Sequence, residues 1–329
     1  MMANEYFLSI IVTFYNLEKY VYKCLDSIFL KQKTDYPIEV IAVDDGSFDS
    51  TWELLSAYPN QCASSELKIV KQENSGVAAT WNSSISIAKG KYILFLDGDD
   101  FLIDGSLDDF LQYVDTINAD IVVYAMSFFD SNYILIGNSI APECKYGKND
   151  FILHSWLKSG VYTALRNKIV SREYLLKYNL LFIPGIIYED VPWTAKLFAY
   201  DSLVAYSDIR VYGNVLRPGS ITNRKLEKFN LTSLMIGYND LCNFLEKENG
   251  LSNLYVDDIK SILSGTFFQM LSYYNKLKLK LTPTERDKYL TYLEERKSII
   301  RYSNKANRRY IYRFIAEVFG LKVLMKIKK

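Results

Sequence analysis

Residues 38–47 read IEVIAVDDGS, an apolar, β-branched run that stops on two aspartates, a glycine and a serine. Such a run is long enough for a buried strand, and its acidic end marks where the strand leaves the core. Working outward, FLSIIVTF (7–14), LKIVK (67–71) and YILFL (92–96) have the same character. Between them lie helical patterns. Tyr20, Val21, Cys24, Leu25 and Ile28 recur at helical spacing, Ser50 and Glu53 predict a capping box, and GVAATWNSSISIAKG predicts a helix stopped by Gly90. Strand and helix alternate over about a hundred residues. The continuous apolar strands imply burial on both faces, hence an open α/β sheet, Rossmann-like and mostly parallel, flanked by helices. Ligands of such sheets sit at the carboxyl ends of the strands. Both Asp44-Asp45-Gly46-Ser47 and Asp97-Gly98-Asp99-Asp100 lie there.

Composition narrows the function classes. The 329 residues are 49% hydrophobic and 23% charged, with 39 Lys plus Arg against 38 Asp plus Glu. That balance is globular and excludes a generally basic nucleic-acid coat; no nucleic-acid partner is expected. The charge is unevenly placed. Nine basic side chains face only Glu317 between 301 and 329, and no arginine precedes Arg166. Cys24, Cys62, Cys144 and Cys242 match no CxxC spacing, and His154 is the single histidine. Zinc sites and disulfide frameworks are therefore not expected, and a reducing cytoplasm is. The opening MMANEYFLSIIVTFYNLEK has no basic n-region, and no apolar run approaches the roughly 18 residues of a spanning helix. Beyond about residue 226 the pattern turns helical, with Pro283 starting a further helix. Two domains are expected, 1–225 and a helical C-terminal region 226–329.

Four stretches carry candidate chemistry. Three carboxylates at Asp97, Asp99 and Asp100 repel one another unless a cation sits among them, and their oxygens suit hard Mg2+ or Mn2+. The plain alternative is a solvated Asp/Gly turn. Asp44 and Asp45 would accept hydrogen bonds from a base or ribose, or else serve a helix start. Glu189 and Asp190 would supply a general base, or else only complement a helix dipole. Arg217 to Thr222, RPGSIT, would cover a phosphate, or else form an ordinary turn.

Taken together, SIIVTFYN (9–16), VIAVDDGSFDST (40–51), ENSGVAATWN (73–82), GKYILFLDGDD (90–100), LRNKIV (165–170), IYEDVPW (187–193) and LRPGSIT (216–222) resemble, in that order, the family-2 inverting glycosyltransferases. The resemblance covers about residues 7–225 and implies the GT-A fold. It implies that Thr13 and Tyr15 frame a uracil and that Asp45, supported by Asp44, contacts uracil or ribose. Asp97 would face the ribose and share with Asp99 a Mn2+ or Mg2+ that bridges the diphosphate. Asp190 would be the base, with Glu189 beside it, and Arg217 and Ser220 would sit on a loop near the diphosphate or acceptor. Arg166, Asn167 and Lys168 match a recurrent family segment. Where many relatives carry Ala-Arg-Asn, this chain has Thr80-Trp81-Asn82. That removes one diphosphate or base contact, and Trp81 either packs or stacks on a ring.

The implied reaction is transfer of a hexose or N-acetylhexosamine from a UDP-sugar to a saccharide acceptor. Such an acceptor, for instance one linked to undecaprenyl diphosphate, belongs to capsule, O-antigen or other surface polysaccharide synthesis. The cation would act as Lewis acid on the leaving diphosphate. A catalytically silent nucleotide-sugar or glycan-binding module is the alternative, with Trp81 as its supporting feature. A receiver domain is discarded, because its acidic pair follows the first strand rather than the second. The basic tail, with Ile311, Phe314, Ile315 and Val318 at helical spacing, predicts either a peripheral seat on an anionic membrane or a helix packed on the domain.

Overall fold

The computed structural model describes residues 6–59, 65–142, 144–159, 167–217 and 225–302. Arg166, Ser220, Cys62 and the basic stretch 303–329 lie outside the described residues. The chain divides into two compact units, one of Met1–Gly185 with Lys196–Asn223, the other of Ile186–Ala195 with Arg224–Lys329.

In the first unit β1 (Tyr6–Phe14), α1 (Val21–Phe29), β2 (Ile38–Asp44), α2 (Thr51–Ala57), β3 (Ser65–Lys71), α3 (Val77–Ile87) and β4 (Gly90–Asp97) alternate in the expected order. They are followed by β5 (Phe101–Leu102), α4 (Leu107–Ile117), β6 (Ile121–Asp130), β7 (Leu135–Asn138), β8 (Tyr146–Lys148), α5 (Asn149–Ser159), β9 (Lys168–Ser171) and α6 (Arg172–Lys177). After α7 (Asp190–Leu197), β10 (Leu203–Leu216) returns to the sheet. The strand order is β3-β2-β1-β4-β9-β6-β10-β5, with β7 on β6 and β8 on β10. This is the expected α/β class. The four strands read from sequence pair in parallel. Beyond them the sheet is mixed, because β9 runs antiparallel between β4 and β6.

All seven residues of β2 are buried, as are the last seven of β1. Leu8, Ile10, Val12, Val40 and Ala42 face one core with Val21, Cys24, Leu25 and Ile28 of α1 and Phe110 and Val114 of α4. Period-2 alternation turns Ile11, Ile41, Ile93 and Phe95 to the opposite face. Trp81 of α3 is 4% exposed and packs there, 5.7 Å from the Phe95 ring and 4.9 Å from Phe182. Of the two roles open to Trp81, packing is the observed one. Within this apolar strand system Glu39 is buried but satisfied, since its Oε1 accepts from Ser9 Oγ at 2.5 Å and Gly90 N at 3.1 Å.

Two local expectations need correction. Ser50 makes no side-chain cap to α2. Asp49 Oδ1 instead accepts from Thr51 N at 3.0 Å, a shorter loop that forestalls the Ser50/Glu53 box. The α3 helix stops at Ile87 on an extended Ala88, and Gly90 already opens β4.

The second unit is helical: α8 (Lys228–Lys247), α9 (Asn253–Leu277) and α10 (Pro283–Arg296), then a 3-10 turn. Pro283 starts α10 inside a Thr282/Glu285 capping box. This unit differs from the expected 226–329 because Ile186–Ala195 clusters with it. Ile187 N donates to Ser233 Oγ at 3.3 Å, and Tyr255 Oη donates to the Ala195 carbonyl at 2.9 Å. Those tertiary bonds have no counterpart in local sequence pattern.

Candidate active site

The carboxyl ends of β1, β2 and β4 come together because their registers align. Phe14 pairs with Asp44, and Thr13 pairs with Asp97. The loops then lock. Asp45 N donates to the Phe14 carbonyl at 2.9 Å, and Gly98 N donates to the Thr13 carbonyl at 3.0 Å. Thr13 is thereby buried, while the next side chain but one, Tyr15, is 44% exposed.

Gly98 shows why this turn needs glycine. A Cβ there would lie 2.4 Å from Phe14 Cδ1 and 2.7 Å from the Thr13 carbonyl oxygen. Gly98→Ala is therefore expected to cost about 1–3 kcal/mol of stability by overpacking, read as a lowered denaturant midpoint.

Asp44 is fully buried. Its Oδ1 accepts from Ser47 N at 3.2 Å, and its Oδ2 has no protein partner. Asp45 is held much more heavily. Oδ1 accepts from Gln72 Nε2 at 2.8 Å and Ser75 N at 2.9 Å, with Ser75 Oγ at 3.3 Å, and Oδ2 accepts from Gly76 N at 2.9 Å. A carboxylate has about four acceptor positions. About two belong to each oxygen, and Oδ2 receives one donor among the described residues. Gln72 and, within the ENSG stretch, Ser75 and Gly76 supply these donors, a role the motif character did not disclose.

Asp97, Asp99 and Asp100 each offer a carboxylate oxygen, and the three oxygens lie within 4.8 Å of one another. They are not equivalent. Asp100 is 3% exposed and committed to β10, accepting from Tyr212 Oη at 2.7 Å, Asn214 Nδ2 at 2.9 Å and Val215 N at 2.7 Å. Asp99 is half-buried, and its Oδ2 accepts from Arg217 Nε at 2.6 Å. The Arg217 guanidinium also lies over the Tyr20 ring, 5.1 Å from its centroid. Asp97 is half-buried at the strand end, and its N–H donates to Tyr212 Oη at 3.2 Å.

This acidity reaches its neighbours. Burial, and after it the charges of Asp100, Asp99 and Asp97, push the Cys24 thiol well above its ordinary range. Burial likewise raises the Tyr133 phenol, with Tyr20, Cys24, Asp99 and Asp100 adding to the shift. The clustered hard oxygen donors of Asp97 and Asp99 fit a divalent cation, whereas Asp100 holds β10.

Glu189 and Asp190 lie in the second unit, at the start of α7 and both half-buried. Tyr188 before them takes a left-handed φ of 65°, rare for a bulky side chain. Its ring is tied down: Asn230 Nδ2 donates to Tyr188 Oη at 3.0 Å, and Tyr273 Oη lies 3.2 Å away. Sequence reading missed Gln72 and Tyr212, since a lone Tyr or Gln carries no motif, and it gave Tyr188 no role of its own within IYEDVPW. Asn167 and Lys168 are buried, Lys168 Nζ donating to Asn167 Oδ1 at 3.2 Å. His154 is half-buried on α5.

Comparison with known proteins follows this geometry. A family model described as glycosyl transferase family 2 matches residues 9–176. The chain is 27% identical over 235 residues to the cholesterol galactosyltransferase of Borreliella burgdorferi, covering 68% of this chain and 63% of that protein. It is also 27% identical over 228 residues to the uncharacterized glycosyltransferase EpsJ of Bacillus subtilis, covering 65% and 62%. In both cases the match spans less than two thirds of the relative's own length. The fold is shared with S. aureus TarS 1–349, solved in complex with UDP-GlcNAc, at a TM-score of 0.65 and 22% identity over 94% of this chain and 83% of that one.

Proposed function

The chain belongs to glycosyl transferase family 2, and on that premise we propose an inverting, metal-dependent transfer of a hexose or N-acetylhexosamine from UDP to a saccharide hydroxyl. The observation that carries the reading is the unequal acidic cluster at the end of β4. Asp100 builds the turn through donors from β10, while Asp97 and Asp99 bring half-buried carboxylate oxygens within reach of one cation. A divalent ion held there, Mn2+ or Mg2+, would neutralise charge on the leaving diphosphate as a Lewis acid.

The chain's own residues supply the rest. Tyr15 offers an exposed ring face to the base, with Thr13 beneath it at the strand end. Asp45 offers Oδ2 to a base N–H or a ribose hydroxyl, with Asp44 as its support. Asp97 faces the ribose. Arg217 brings a cation toward the diphosphate, and Ser220, outside the described residues, would join it there. An acceptor hydroxyl is a poor nucleophile at neutral pH. Asp190 takes its proton as the acceptor oxygen bonds to the anomeric carbon and the bond to the diphosphate oxygen breaks. Attack opposite the leaving group inverts that carbon, and Glu189 supports the base. The name of one relative, a cholesterol galactosyltransferase, supports hexosyl transfer to a hydroxyl; a surface-glycan acceptor, lipid-diphosphate-linked saccharides included, is part of this proposal. The basic stretch 301–329 supports a peripheral seat on the anionic inner face of the membrane. Among the described residues no helix is long and apolar enough to cross one.

The binding-module alternative loses its supporting feature, because Trp81 is buried among Phe95 and Phe182 instead of facing a ligand. A panel of UDP-, GDP- and dTDP-sugars, assayed for nucleotide release with Mn2+ or with EDTA, tests the proposal. Mn2+-dependent release from a UDP-sugar is expected. UDP binding without release from any donor, with and without saccharide acceptors, returns the module reading.

A further inference from the structure

Phe48 follows the Asp44-Asp45-Gly46-Ser47 turn and is 83% exposed, against 44% for Tyr15. The two rings stand edge-on, with centroids 6.1 Å apart and planes at 84°. Little of Phe48 is buried by the fold, so the ring contributes little to stability.

Its backbone, by contrast, is held firmly. Asn16 N donates to Ser47 Oγ at 2.9 Å, and Phe48 N donates to Asn16 Oδ1 at 3.0 Å. Leu17 N donates to Thr51 Oγ1 at 2.8 Å, Glu18 N to Asp49 Oδ2 at 3.2 Å, and Ser50 N to Glu18 Oε2 at 3.1 Å. Five bonds thus stitch the turn after β1 to the turn after β2. The two exposed rings ride on a single preorganised corner.

We propose that Phe48 is a nucleobase-binding residue, the second wall of an aromatic corner whose first wall is Tyr15. A flat base laid on one of two perpendicular rings presents its edge to the other, and both arrangements are favourable for aromatic groups. Asp45, on the same turn as Phe48, is 4% exposed, and its Oδ2 receives one donor among the described residues. The corner therefore suits a planar heterocycle with an N–H on its edge, the chemistry of a uracil, bound as a nucleoside diphosphate. This inference rests on the nucleotide-sugar reading above and adds a residue that determines affinity for the base.

The test is titration of the full chain and of Phe48→Ala and Phe48→Tyr with UDP, GDP, CDP and ADP, and with inorganic pyrophosphate, all with Mn2+. Loss of an aromatic–base contact weakens binding by about tenfold. The expected result is that loss for UDP in Phe48→Ala, recovery in Phe48→Tyr, and pyrophosphate binding unchanged throughout. The melting temperature stays at the wild-type value, because the ring is exposed. Equal UDP affinity in wild type and Phe48→Ala overturns the assignment, as does an equal loss for pyrophosphate. Wild type that binds none of the four nucleotides overturns the nucleotide reading itself, and this corner with it.

Discussion

Asp190→Asn will leave UDP affinity essentially unchanged and cut transfer by at least about a hundredfold, the usual worth of a positioned general base. The amide keeps the shape of the carboxylate but cannot take a proton at neutral pH. Local bonds that do not use the Asp190 side chain remain in the variant. Val191 N donates to the Tyr188 carbonyl at 3.2 Å, and the Tyr188 ring is held by Asn230. Asp190 does add a negative charge at the first turn of α7, and losing that costs about 0.3–1 kcal/mol of stability, too little to unfold the unit. Steady-state transfer and UDP titration on one preparation separate the outcomes. Transfer at the wild-type rate removes Asp190 from the role. A parallel loss of UDP binding moves it into the donor site.

The second large effect divides the acidic cluster. Asp99→Ala will abolish the Mn2+-dependent part of UDP binding, while removing one partly buried ion pair, that with Arg217. Asp100→Ala will do the reverse first. It removes the acceptor of Tyr212 Oη, Asn214 Nδ2 and Val215 N, and a buried donor that loses its acceptor costs about 1–3 kcal/mol. Chemical denaturation will show a markedly lower midpoint for Asp100→Ala than for Asp99→Ala. Direct Mn2+ titration will show the loss in Asp99→Ala. If Asp99→Ala binds Mn2+ and UDP as tightly as wild type, the cation site lies elsewhere. If Asp100→Ala unfolds at the wild-type midpoint, the structural role given to Asp100 is wrong.

Legibility followed the range of the interactions. The strands β1 to β4 were readable because burial on both faces forces an unbroken apolar run, and α10 was readable because Thr282, Pro283 and Glu285 act on their own backbone. The boundary between the units was read less well. Ile186–Ala195 joins the helical unit through bonds to Ser233 and Tyr255, some 46 and 60 residues away along the chain. The two-residue β5 and the antiparallel β9 also lacked a distinctive local pattern.

Chain order and residue chemistry alone determined the α/β class, the placing of the acidic turns at strand ends, and the family. Hydrophobic period and turn composition act over a few residues and are written in the primary structure. Only the tertiary structure decided which donors reach which carboxylate. Asp97, Asp99 and Asp100 look alike in the chain. Asp100 is consumed by donors from β10 more than a hundred residues later, and Asp45 by the stretch from Gln72 to Gly76. The number of donors that reach a buried oxygen depends on which distant backbone folds against it.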